Sequence, residues 1–144
     1  ICSIFNKNRT DLVFHTGDIS LPKSLLSFKK LNCPLIAVLG NNDIGEKNQL
    51  LEASKAFDCK IVEEPFSICL TDRKIVILHH PDLISESMVF SNDFIFHGHT
   101  HRFRHETIEG TLIFNPGECA GFMKGKNKIG IVNLKTKEAK IISF

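Results

Sequence analysis

The chain contains no tryptophan and no tyrosine, so its aromatic character rests on twelve phenylalanines and a phenolic general acid is excluded. Its five cysteines, Cys2, Cys33, Cys59, Cys69 and Cys119, are odd in number and form no C-x-x-C pair. That pattern excludes a disulfide framework and a zinc ribbon, leaving reduced thiols. Cys119 is the one thiol close to the motifs described below, and with no base beside it in sequence it reads as a packing residue. No apolar run approaches the roughly 20 residues needed to span a bilayer, and no signal-peptide pattern is visible. A cytoplasmic location without a membrane partner is the expectation. A large excess of charge is also lacking: the net charge of +2 is too mild to imply a nucleic-acid partner. Lys124, Lys126 and Lys128, with Arg102 and Arg104, read as a solvated hairpin and an exposed strand face, since no base-stacking aromatics interleave with them. Repeats, linkers and low-complexity tracts are absent. At 144 residues with 42% apolar side chains, residues 1–144 are expected to form one domain with a sizeable core.

What the chain does have is histidine in one place. Six of its seven histidines fall between His79 and His105, and the run Phe96-His97-Gly98-His99-Thr100-His101 spaces three of them at i, i+2 and i+4. Imidazoles gathered in this way suit a metal site. Each offers one neutral nitrogen as ligand while a second partner fixes the other, a chemistry that favours Mn, Fe, Ni or Zn over Ca or Mg.

Four short apolar runs each end in polar residues. Asp11 to His15 leads into Thr16-Gly17-Asp18, and Leu35 to Leu39 into Gly40-Asn41-Asn42-Asp43. Lys74 to Leu78 leads into His79-His80-Pro81, and Asp93 to Phe96 into the histidine run. Pro22 to Leu31 reads as a crossover helix with proline in its first turn, so the first two runs make a βαβ unit. In open α/β sheets ligands collect beyond the carboxyl ends of parallel strands, which would bring Asp18 and Asn41 to one crevice. Further helices are expected over about Lys47 to Phe57 and Leu83 to Phe90. A strand is expected near Phe66 to Leu70, and hairpins over Phe103 to Phe114 and Ile131 to Ile142. Parallel pieces first and hairpins later imply two mixed sheets.

The ordered set GD, GNND, HHP and GHTH, followed by Asn115-Pro116-Gly117-Glu118, resembles the calcineurin-like metallophosphoesterase superfamily, in particular its small archaeal and bacterial phosphodiesterase branch. The resemblance covers essentially the whole chain. It implies an α/β fold, two packed mixed β-sheets flanked by helices in an α/β/β/α sandwich. It also implies a metal-dependent phosphodiesterase that hydrolyses a small phosphodiester with a hydroxide activated by two divalent transition metals, Mn first, with Ni, Fe or Zn as alternatives. Carried over residue by residue, Asp18 resembles the carboxylate bridging both metals. Asn41, His79 and His99 resemble ligands of the second metal, and His101 a ligand of the first. These five residues, Asp18, Asn41, His79, His99 and His101, are the catalytic and metal-binding candidates. His80 is then a neighbour, and His97 and His105 are surface or supporting histidines.

Two departures qualify the resemblance. The family opens with a strand ending in D-x-H that completes the first metal site, and no segment here corresponds to it. Ile1 to Phe5 reads as the tail of the helix after that strand, so the chain looks N-terminally truncated, with its first strand missing and activity impaired. On that reading it would hold one metal properly, and the strand Asp11 to His15 would become an exposed edge prone to self-association, leaving homo-oligomerisation open. The second departure is Asn42, which stands where phosphatase branches carry a histidine. Its amide cannot donate a proton to a departing alkoxide, which points to diester or activated substrates. The alternative reading is a catalytically impaired protein-interaction scaffold of the same fold.

Overall fold

The computed structural model describes residues 1–144. Strands β1 (Val13–Thr16), β2 (Leu35–Val38) and β3 (Cys59–Val62) form a three-stranded parallel sheet in that order. Helices α1 (Cys2–Lys7), α2 (Pro22–Leu26) and α3 (Lys47–Ser54) accompany it. The second sheet has five strands, β4 (Phe66–Leu70), β5 (Arg73–Ile77), β6 (Phe94–Phe96), β7 (Arg104–Ile108) and β8 (Thr111–Asn115). Its order is β4-β5-β6-β8-β7, with β5, β6 and β8 parallel and the outer strands antiparallel to them. Helix α4 (Glu86–Ser91) precedes β6, and β9 (Lys128–Val132) pairs with β10 (Ala139–Ser143) in a separate hairpin.

Period-two alternation sorts the core into layers. Ile75 and Ile77 of β5 point to one apolar cluster together with Val38, Phe94, Phe96, Leu112 and Phe114, which fills the space between the two sheets. The intervening Val76, with Leu78, Ile95 and Ile113, faces Met88 and Val89 of α4 on the other side. A third cluster joins Val13, Leu35 and Ala37 of the parallel sheet to Leu25 of α2 and Leu50 of α3. Helix, sheet, sheet and helix therefore stack around three apolar layers. Every residue of β6 and β8 is buried, whereas Val13 alone is buried in β1, an edge strand paired only with β2.

Several elements differ from the sequence expectations. The crossover helix turns into a 3-10 helix at Ser27–Lys30, and the next helix stops at Ser54 rather than Phe57. The Leu83 to Phe90 helix is shifted to Glu86–Ser91, because Ser85 caps it by accepting from the Met88 amide while Pro81–Leu83 forms a separate 3-10 turn. Strand β3 was not expected. Its register, Leu35 to Cys59 through Val38 to Val62, completes the parallel sheet.

Candidate metal centre

The site lies beyond the carboxyl ends of β1, β2, β5 and β6. Just after β1, Gly17 has φ +92° and Asp18 φ +58°, a left-handed pair that turns the carboxylate back over the strand end. A Cβ on Gly17 would lie 2.5 Å from His79 Nδ1 and 2.9 Å from the Gly40 nitrogen. A Cβ on Gly40 would collide with the Asp18 carboxylate and stand 2.8 Å from the His79 ring. The two glycines are thus the spacing that lets Asp18, His79 and the β2 end approach one another.

Four of the five expected residues meet. His79 Nε2 is 3.0 Å from Asn41 Oδ1, 3.4 Å from Asp18 Oδ1 and 3.2 Å from His99 Nδ1, and His99 Nδ1 is 3.1 Å from Asn41 Oδ1. The proton inventory shows what these atoms can hold. His79 Nδ1 faces the Thr16 carbonyl at 2.7 Å and therefore carries a proton, since a carbonyl can only accept. Its Nε2 is left facing two acceptor oxygens, Asn41 Oδ1 and Asp18 Oδ1, and in the ligating form of the ring it presents a lone pair beside them. Lone pairs gathered on one point fit a cation, with N and O donors suited to a divalent transition metal. Desolvation, then the imidazoles of His80 and His79, hold the His99 pKa below its ordinary value and so favour the neutral, ligating form.

His80 was set aside as a neighbour in the sequence, but the structure stacks its ring 3.9 Å from that of His99. Potential ligand atoms of His79, His80 and His99 lie within 4.8 Å of one another, so His80 is a further donor candidate. His101 stands apart. It lines the same groove as Asp18, His79 and His99, yet its hydrogen bond runs from Nδ1 to the Glu118 carboxylate rather than to any of the other four. His97, expected to be a surface or supporting histidine, is buried at 2% exposure, with Nδ1 near the Gly98 carbonyl and the Asn115 amide. His105 packs edge-on to Phe114.

Three carboxylates outside the five candidates hold the site in place. Asp43, fully buried, accepts from the Gly40 amide at 2.7 Å and the Ser20 amide at 2.6 Å, tying the loop after β2 to the loop after β1. Glu64 accepts from the backbone amides of both His79 and His80. Glu118 takes His101 Nδ1 and the amides of Ala120 and Phe122. Burial pushes the Glu118 pKa up, but the His101 bond and the two amides outweigh it and leave the carboxyl below its ordinary range. Asn42, the residue in the position of the phosphatase histidine, is engaged with Asp18: its amide nitrogen reaches Oδ1 at 3.0 Å and its side-chain Nδ2 reaches Oδ2 at 2.9 Å.

Residues 1–138 match the calcineurin-like phosphoesterase superfamily domain. The chain belongs to that superfamily, a class of metal-dependent hydrolases, and is an enzyme of the phosphoesterase class. A phosphodiesterase of Methanocaldococcus jannaschii is 35% identical over 139 residues, covering 94% of this chain and 83% of the relative. The solved structure of an archaeal phosphodiesterase superposes with a TM-score of 0.89 at 34% identity, covering 99% of this chain and 88% of that one. Vacuolar protein sorting 29 from Cryptosporidium parvum shares the fold at a TM-score of 0.60 and 16% identity, over 99% and 86% of the two chains. No helix is long and apolar enough to cross a membrane.

Proposed function

We propose that this protein is a phosphodiesterase acting on small phosphodiesters with two divalent transition metals, manganese first: Asp18, Asn41, His79 and His99 would hold one metal properly, whereas Asp18 and His101 would supply only part of the other site, so that this chain by itself is impaired. The observation that carries the reading is the convergence of His79 Nε2, His99 Nδ1, Asn41 Oδ1 and Asp18 Oδ1 at the strand ends. When bound, such metals polarise a water and draw charge from the phosphoryl oxygens for in-line displacement. Asp18, which resembles the family's shared carboxylate ligand, would be held in place by Asn42, which donates to both of its oxygens. Thr16 and Glu64 would fix the His79 ring and backbone, so that Nε2 presents its lone pair without rearrangement. His101, oriented by Glu118 and lining the same groove, would supply a further ligand.

The leaving group must manage without a proton from Asn42. Its amide has no acidic proton to give and is already committed to Asp18, so departure favours esters whose alcohol is stable as an anion. The similarity to named phosphodiesterases supports the enzyme over the scaffold alternative. The test is hydrolysis of bis(p-nitrophenyl) phosphate with added Mn(II) or Ni(II), comparing a full-length version that carries the D-x-H strand with its Asp18→Asn variant. Turnover should require metal and should disappear in the variant, because the neutral amide holds a bridging position poorly. Unchanged turnover with the same metal dependence would remove Asp18 from the centre.

A further inference from the structure

The segment between β8 and β9 presents an aromatic ring that the fold leaves unburied. Phe122 is 81% exposed, and Met123 beside it 50%. Its ring lies 5.8 Å from that of His101, tilted by 39°. This is not a side chain at the end of an untethered loop. The Glu118 carboxylate that orients His101 also accepts from the Phe122 and Ala120 amides, at 3.3 and 2.8 Å. The Gly121 amide donates to Asn127 Oδ1 at 3.1 Å, and the Lys128 amide to the Glu118 carbonyl at 2.7 Å. One buried carboxylate therefore fixes both a metal-ligand candidate and the position of an exposed ring next to it. The same segment carries Lys124, Lys126 and Lys128, cationic charge suited to a phosphate ester.

We infer that Phe122 is a stacking platform for a planar aromatic ester group of the phosphodiester substrate, an aryl or nucleoside ester, seated beside His101 while the phosphate occupies the metal centre. The inference rests on the proposed phosphodiesterase reading and adds the substrate class to it. A π-face is tolerant of which ring it meets, so the platform selects planarity and not a particular base. Sequence patterning could not find it, because Phe122 is adjacent to His101 only through the Glu118 bonds.

The test uses the Mn(II)-loaded full chain and reads affinity by calorimetry, with no turnover required. Four monoesters serve as probes: adenosine 5′-phosphate against ribose 5-phosphate, and phenyl phosphate against methyl phosphate. Each aromatic member should bind more tightly than its aliphatic partner. Phe122→Ala should weaken adenosine 5′-phosphate about 10-fold while leaving ribose 5-phosphate within about 2-fold, and Phe122→Trp should preserve the preference. A preference in the nucleotide pair alone assigns the platform to nucleosides, and a preference in both pairs assigns it to planar esters generally. Equal binding of aromatic and aliphatic members, or an equal loss of both in Phe122→Ala, overturns the platform but not the metal centre. Failure of all four to bind overturns the phosphoester reading, and the platform with it.

Discussion

Two parts of the groove are built differently. In one, Asp18, Asn41, His79 and His99 stand at strand ends over a wholly buried β6 and β8, and the donor atoms of Asp18 and His79 are aimed by identified partners. By contrast, His101 and Phe122 are both held through Glu118, and Phe122 lies within a stretch from residue 116 to 127 that has no regular secondary structure. Strand ends over a packed core hold atoms to tenths of an ångström, whereas a loop can change its residues without disturbing the core. On the proposed reading, the strand ends together with His101 would hold the reacting centre, and the loop that carries Phe122 would bear on the choice of substrate.

The largest way to break the contrast is to remove its foundation. Phe94 is fully buried beneath the strand ends, and Phe94→Ala should cost about 3–5 kcal/mol in urea unfolding. Phe14 on the half-buried edge strand should cost clearly less on truncation, and equal losses would deny the difference in packing. Next comes Gly40→Ala, whose new methyl must displace the Asp18 carboxylate or the His79 ring. Shifted ligands should lower kcat/KM on an aryl phosphodiester about 100-fold, with weaker metal binding by titration. Glu118→Gln addresses the part held through Glu118 and should cost about 10-fold in kcat/KM, with little change in unfolding midpoint.

The smallest effect is in pH. Burial, the main cause, holds the His97 pKa below its ordinary 6.5 in the folded chain. Below that pH the unfolded chain takes up a proton that the folded chain refuses. Stability is therefore full above 6.5 and declines as pH falls from there towards the depressed folded value. Burial lowers the His15 pKa in the same direction. Urea midpoints compared at about pH 8 and about pH 5 should differ, and His97→Gln should narrow the gap.

The strand ends were legible because each apolar run terminates in polar residues, and the superfamily and the order of its layers follow from those four motifs. What was not legible arises from contacts made across the chain. Strand β3, Cys59-Lys60-Ile61-Val62, is short and partly solvated, so only its pairing with β2 defines it. Asp43 is the last letter of a motif, yet its second partner, the Ser20 amide, is 23 residues away. Glu64 reaches the His79 amide over 15 residues and Glu118 reaches His101 over 17. His97 has the look of a surface residue in an alternating run, but β8 and Asn115 cover it.

The Asp43 carboxylate has a dynamic consequence. Because a single buried anion holds amides from the loops after both β1 and β2, neither loop can open without leaving that charge short of a partner, a cost of about 1–3 kcal/mol. The two loops must then fluctuate as one unit, and protection against hydrogen exchange at Ser20 and Gly40 rises and falls together. Asp18 and Asn41, which ride on those loops, would release a bound metal in a concerted opening and not one ligand at a time.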